Sequence, residues 1–285
     1  MANRSVDGVS AATEAAPPPP MQSSAEDRGR RLRTAAGYVV PPAVALFLVA
    51  VVWEIWVNVS DVPEYIVPAP SAVLGALLDN WSFYVKEGAV TLSEALAGFV
   101  LGSAVALTFA ALMAHSRFLE RSLLPLAIMV KVTPLVAVAP LFVIWFGFGS
   151  FPKVLIAALI TFFPVLVNTL TGLRSVNSGA LDFFRSVNAS TAEIYFKLRV
   201  PGSLPYVFAA FRVAIPLSII GAVVGEFFGG GQGLGSVIFV AHHNLDMPTS
   251  FAAILVLAAM GISLTVVPSH IERRMLFWHD SFIMS

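Results

Sequence analysis

The sequence predicts an all-α fold, a polytopic membrane protein with six transmembrane helices. Three observations carry this. Hydrophobic residues make up 57% of the 285 and charged residues only 12%, about half the charged share of a soluble domain, and mean hydropathy is +0.82. The apolar residues fall into six runs, near 37–59, 89–114, 122–148, 154–174, 205–228 and 250–271. Each is long enough for the ~20 helical residues that cross about 30 Å of hydrocarbon. Lysine and arginine, finally, are concentrated on one set of connections. With the N-terminus inside, the inner tail and loops hold Arg4, Arg28, Arg30, Arg31, Arg33, Arg117, Arg121, Arg174, Arg185, Lys197, Arg199, Arg273 and Arg274, against Lys86 and Lys153 outside. That bias places both termini and residues 175–204 in the cytosol, with Lys153 and the 229–250 loop on the outer face.

Taken in order, residues 1–36 hold Pro17 to Pro20, many Ala and Ser, and the arginine cluster, but no apolar run. They read as a disordered cytosolic tail rather than a signal peptide. The apolar transmembrane domain then covers 37–278, and 279–285 forms a short cytosolic end. In the second span Gly98 and Gly102 form a pair of small residues that permits close helix contact. Pro134, Pro140, Pro164 and Pro216 interrupt spans three to five, as is tolerated where protein or a watery cavity covers the broken backbone. Lys131, Arg212 and Glu226 fall inside spans and must face protein or water. Lys131 reads either as an ammonium near a solute path or as a side chain snorkelling to the headgroups. Glu226 reads either as part of an outer gate or as a hydrogen-bond partner of the glycine-rich 229–233 backbone. A salt bridge or lipid contact is the expectation for Arg212, and interfacial solvation for Glu54 and Glu94.

The segment Asp182–Pro205 is a charged island between two apolar runs. Ser190 with Glu193 has the spacing of a capping box. A short amphipathic helix follows with Ile194 and Leu198 on one face; Pro201 is expected to stop it and Pro205 to open the next span. Asn188 suits a left-handed turn. The result is a helix–turn–helix on the membrane surface.

At these residues the chain resembles the coupling loop of ATP-binding-cassette importer permeases. In that family a Glu-Ala-Ala triplet, three residues and a Gly are followed by an apolar-x-Leu-Pro close. Here Asp182 stands for the Glu, Phe183 and Phe184 for the alanines and Asn188 for the Gly, while Val200-Pro201-Gly202-Ser203-Leu204-Pro205 matches the close. The two phenylalanines are bulkier than the family's alanines and should alter local packing. The resemblance runs from about Trp53 to Trp278. Pro68–Val73, Thr133-Pro134, Ala139-Pro140-Leu141, Trp145-Phe146-Gly147, Phe162-Phe163-Pro164, Gly172–Val176, Gly225-Glu226-Phe227 and Gly233-Leu234-Gly235 are similar to one subgroup. That subgroup handles nitrate, taurine, alkanesulfonates, and pyrimidine thiamine precursors or riboflavin. Ala222–Phe227 and Leu245–Pro248 lean toward the pyrimidine and flavin members.

The resemblance implies a multi-pass permease subunit of the cell membrane, paired with a second copy, two ATPase subunits and an extracytoplasmic substrate-binding protein. It implies coupling to the ATPase through Asp182, Arg185, Asn188, Ala189, Ser190, Glu193, Pro201, Leu204 and Pro205. Lys131, Pro134, Pro140 and Glu226 are the expected residues of the translocation pathway. No cofactor is expected in this chain, because no Gly-x-x-x-x-Gly-Lys-Ser/Thr loop is present; ATP would be bound by the partner. A membrane-embedded enzyme is the competing class, but the ionisable residues in the spans are few and scattered. A passive channel leaves the ordered surface loop unexplained. No cysteine is present, so thiolate metal sites are excluded, and adjacent His242 and His243 lack a third ligand nearby. Zero formal net charge gives no argument for a nucleic-acid partner.

Overall fold

In the computed structural model residues 24–275 are described, and among them no strand occurs. The chain divides into a unit ending at Trp53 and a second beginning at Glu54. The first consists of most of helix α1 (Ser24–Val59). Residues 24–36, expected in an irregular tail, are helical here. Their Ala, Arg, Glu and Leu content favours helix once a span is there to extend. Residues 1–23 and the predicted cytosolic end at 279–285 lie outside the described residues.

The second unit contains α2 (Pro70–Asp79), α3 (Trp81–His115), α4 (Arg117–Val132), α5 (Leu135–Phe146), α6 (Ser150–Arg174), α7 (Ser178–Ser186), α8 (Thr191–Ile194), α9 (Val200–Gly229), α10 (Leu234–His243) and α11 (Met247–Met275). Among the described residues, Val40–Val59, α3, α6, the continuous run Thr191–Gly229, and Met247–Pro268 are each long and apolar enough to cross a membrane. The third predicted span, 122–148, is not one straight helix. It is broken into α4 and α5, which meet at 96°. Pro134 lacks an N–H and forces Thr133 out of the helical region, to φ −63°, ψ 126°. Thr133 closes α4 itself, with its N–H and its hydroxyl both donating to the Met129 carbonyl, at 3.1 and 2.8 Å. The other three prolines do not interrupt anything: Pro140, Pro164 and Pro216 lie inside α5, α6 and α9.

Pro201 does not end its helix either. The backbone widens into a π turn at Tyr195–Arg199 and passes directly into α9. A wide turn relieves the clash of the proline ring with the preceding carbonyl, so the chain continues instead of stopping.

α6 packs most extensively on α9, and α3 packs on α6. Small residues make both contacts possible. A Cβ on Gly98 would sit 2.8 Å from the Val154 carbonyl oxygen, so the predicted close contact is real and its partner is α6. A second stripe, Gly221-x-x-x-Gly225-x-x-x-Gly229, lies on α9. A Cβ on Gly221 would stand 2.5 Å from Ala157 Cα, and one on Gly225 would stand 2.7 Å from Lys153 Cα. Both neighbours are backbone and cannot step aside. Gly221→Val is therefore expected to splay α6 from α9 and cost about 1–3 kcal/mol. Thermal unfolding of the purified protein in detergent measures it, and a melting temperature equal to wild type would refute the close packing.

Candidate functional site: a capped surface loop and a buried polar cluster

The predicted helix–turn–helix forms α7 and α8. Asn177 caps α7, its side-chain oxygen accepting from Gly179 N–H at 2.8 Å. Asn188 then turns the chain with φ +54°. The capping box is complete: Ser190 Oγ accepts from Glu193 N–H at 3.2 Å, and Glu193 Oε2 accepts from Ser190 N–H at 3.0 Å. Lys197 Nζ donates to Glu193 Oε1 at 2.9 Å. Glu193 lies in the polar first turn of the run Thr191–Gly229, and its carboxylate also accepts from the Ser190 hydroxyl at 3.0 Å. Ile194 and Leu198 turn inward and are half-buried, as is Ala189. Asp182 and Arg185 form an exposed pair at 3.5 Å. Phe183, Val187 and Phe196 are exposed. Leu204 and Pro205 are half-buried inside the first turns of α9.

The span ends around the loop are tied to one another through Arg174 of α6, and the loop is tied to α3 through Arg199. Arg174 pairs with Glu120 and donates to the Met113 carbonyl at 3.2 Å. Arg199 reaches the Ala114 carbonyl at 3.5 Å. Deeper, Arg212 of α9 forms its expected salt bridge, to Glu272 of α11.

At the opposite ends of α3, α6 and α9 sits a buried polar cluster. Glu87, Thr91 and Glu94 line one face of α3 at i, i+4 and i+7. Lys153, expected in an outer loop, lies instead in the first turn of α6 and is 3% exposed. Its Nζ stands 3.3 Å from Glu94 Oε1 and donates to the Gln232 carbonyl at 2.9 Å. Glu94, expected at a solvated interface, is also 3% exposed. Burial is what an ion pair must offset here, and the contact with Gln232 helps to satisfy the ammonium.

Glu226 is fully buried. Its Oε2 accepts from Gly235 N–H at 2.5 Å, and Thr91 Oγ1 donates to its Oε1 at 2.7 Å. The Thr91 hydroxyl accepts in turn from Leu234 N–H at 2.8 Å, and Glu87 Oε2 accepts from Gly233 N–H at 2.6 Å. Together these groups take the first N–H groups of α10, which the helix cannot satisfy itself. Gly233, at φ +115°, has no room for a side chain, because Glu226 occupies the space. The geometry shows Glu226 in a structural hydrogen bond to backbone, but to Gly235 N–H rather than to the 229–233 segment the sequence suggested. Glu54 likewise caps α2, accepting from Ser71 N–H at 3.0 Å and Ser71 Oγ at 2.7 Å.

The pathway residues are not brought together. Lys131 and Pro134 are exposed beside the α4–α5 break and Pro140 is half-buried, whereas Glu226 lies in the distant cluster. The Lys131 ammonium stands 4.6 Å from the Phe163 ring centroid, a cation–π contact. Glu87, Thr91, Glu94 and Lys153 were not legible as a cluster in the sequence. The available signal was the i, i+4, i+7 spacing of polar residues on a face that continues into Gly98 and Gly102.

Residues 98–277 match the profile of the family described as binding-protein-dependent transport system inner membrane component. The chain is 37% identical over 240 residues to the riboflavin transport system permease protein RibX of Chloroflexus aurantiacus, covering 84% of this chain and 90% of that protein. It is 32% identical over 238 residues to the formylaminopyrimidine transport permease protein ThiX of Halalkalibacterium halodurans, covering 83% and 95%. A chain of the MetNI methionine ABC transporter, solved in inward-facing conformations, shares the fold with a TM-score of 0.61 at 15% identity, covering 69% of this chain and 97% of that one.

Proposed function

From its membership of the family of binding-protein-dependent transport system inner membrane components, to which this chain belongs, we propose that it carries a flavin- or pyrimidine-like heterocycle through the membrane while a separate ATPase supplies the energy. That it is a multi-pass permease of an ABC importer for small solutes follows from the family and its relatives. The solute class rests on the relatives that handle riboflavin and formylaminopyrimidine. The observation that carries the energy coupling is the α7–α8 loop. It is ordered by its own caps and tied to α3 through Arg199, yet it leaves Phe183, Val187 and Phe196 exposed. In this reading two copies of the chain line one path, two ATPase subunits grip the loops, and a binding protein delivers solute at the opposite ends. Closure of the ATPase pair moves the loops, and access alternates as a rigid-body change.

The test is co-reconstitution with a candidate ATPase and a candidate binding protein. ATP-dependent accumulation of riboflavin or a formylaminopyrimidine in vesicles is the expected result. Accumulation of another solute would replace only the solute class, and failure of any ATPase to co-purify would remove the importer reading. Orientation is checked separately. The chain has no cysteine, so Ser190→Cys reports alone, and labelling by an impermeant reagent in intact cells would reverse the proposed topology.

Lys131, Pro134 and Pro140 are the proposed pathway residues, while Glu226, in the distant cluster, fixes the turn that opens α10. Lys131→Gln is expected to change stability by under about 1 kcal/mol, the scale of an exposed cation–π contact. It is expected to shift the apparent affinity or turnover for solute in vesicles. Unchanged kinetics would take Lys131 out of the path.

A further inference from the structure

Between the helix–turn–helix and the end of α3 lies a cavity of about 270 Å³. His115, Arg185, Thr191, Tyr195 and Arg199 line it, and no carboxylate is among its lining residues. We propose that this cavity binds a phosphate-type anion, either the headgroup phosphate of an anionic lipid or free phosphate.

Four features support the assignment. Two arginines line one small space, and the planar donor forks of guanidinium groups match phosphate oxygens in a way that ammonium groups do not. Arg199 is half-buried and its recorded hydrogen bond is a long one, 3.5 Å to Ala114 O. One such contact leaves most of its five N–H donors for a ligand. The same contact covers a carbonyl at the C-terminus of α3, whose negative end would otherwise repel an anion. The wall is also fixed rather than floppy. His115 Nδ1 donates to the Ala111 carbonyl at 2.9 Å, and its ring lies 4.6 Å from that of Tyr195. Depth completes the argument. His115 is the last residue of the span Trp81–His115, and α9 begins just after Arg199. The cavity therefore sits where the spans leave the hydrocarbon, the level at which basic pockets between helices meet lipid phosphates. Asp182 reaches Arg185 only at 3.5 Å on the exposed side, an exposed pair that an incoming phosphate can displace at little cost.

The site shares Arg185 with the residues that the resemblance assigns to ATPase coupling. An occupied cavity would brace α7 and α8 against α3.

The experiment uses the full-length chain in nanodiscs. In discs of mixed phosphatidylcholine and phosphatidylglycerol, the wild-type chain is expected to retain phosphatidylglycerol through detergent exchange, read by native mass spectrometry. Arg199→Gln and Arg185→Gln are each expected to lower that retention about tenfold or more, the scale of one charged hydrogen bond. Arg185 is exposed, so its variant remains informative if Arg199→Gln fails to fold. In a second arm, wild-type chain in pure phosphatidylcholine discs is titrated with inorganic phosphate while its melting temperature is followed. Lipid retention that depends on the arginines identifies the headgroup as the ligand. A saturable phosphate response that both variants lose identifies free phosphate. Equal lipid retention in wild type and variants, with no phosphate response, overturns the proposal.

Discussion

Lys153→Met is expected to be the most damaging single substitution in the chain, lowering stability by about 3–5 kcal/mol. The methionine fills much of the same volume, so packing against Gly225 and Gly229 survives. What is lost is the ammonium that faces Glu94, leaving a 3% exposed carboxylate with no counter-charge, together with the donor to Gln232. A buried charge without a partner costs far more than the pair contributed. The expected readout is poor accumulation in the membrane and a markedly lower melting temperature. Removing the stranded acid as well, in Lys153→Met with Glu94→Leu, is expected to recover most of the loss. Recovery stays incomplete because the Gln232 carbonyl has still lost its donor. A double variant no more stable than Lys153→Met would show that the ion pair is not what holds these helices.

Transport is expected to fall at least about tenfold in Glu193→Lys, with the spans still folded. The change removes the capping box, costing the loop about 1 kcal/mol, and replaces the attraction to Lys197 with repulsion across one helical turn. Glu193→Gln is the control, because glutamine also completes a capping box and should keep most activity. Asp182→Lys probes the other arm. Its exposed pair with Arg185 contributes little to stability, so any loss of ATPase association comes from the interface. Uptake in vesicles and co-purification of the ATPase measure both variants. Normal values for Glu193→Lys and Asp182→Lys alike would mean that the ATPase docks elsewhere.

Much of this architecture was legible before the structure. Hydropathy located the spans, and Ser190, Glu193 and Asn188 announced the cap and the turn because those interactions are local. The misreadings share a physical cause. Proline fixes its own φ and removes one donor, but whether the helix breaks depends on what takes up the freed groups. At Pro134 the Thr133 hydroxyl closes the preceding helix; at Pro201 a π turn absorbs the misfit. The buried charges were harder still. Lys153 sits 59 residues from Glu94 in sequence, and Glu226 meets Thr91 across 135. No local pattern pairs them, so each looked like an isolated residue at a membrane edge.

The glycine stripe on α9 has a mechanical consequence. At Gly221 and Gly225 backbone meets side chain or backbone with no compressible layer between, so α6 and α9 have almost no slack along their common axis. The segment joining them, 175–199, is the surface loop itself. A force applied to that loop has no route for dissipation by sliding one helix past the other. It arrives, some 35 Å away by the length of α6, at Lys153 and the first turn of α10. Under the proposed coupling the hairpin would act as a push-rod, and the chain would bend at the 96° break between α4 and α5.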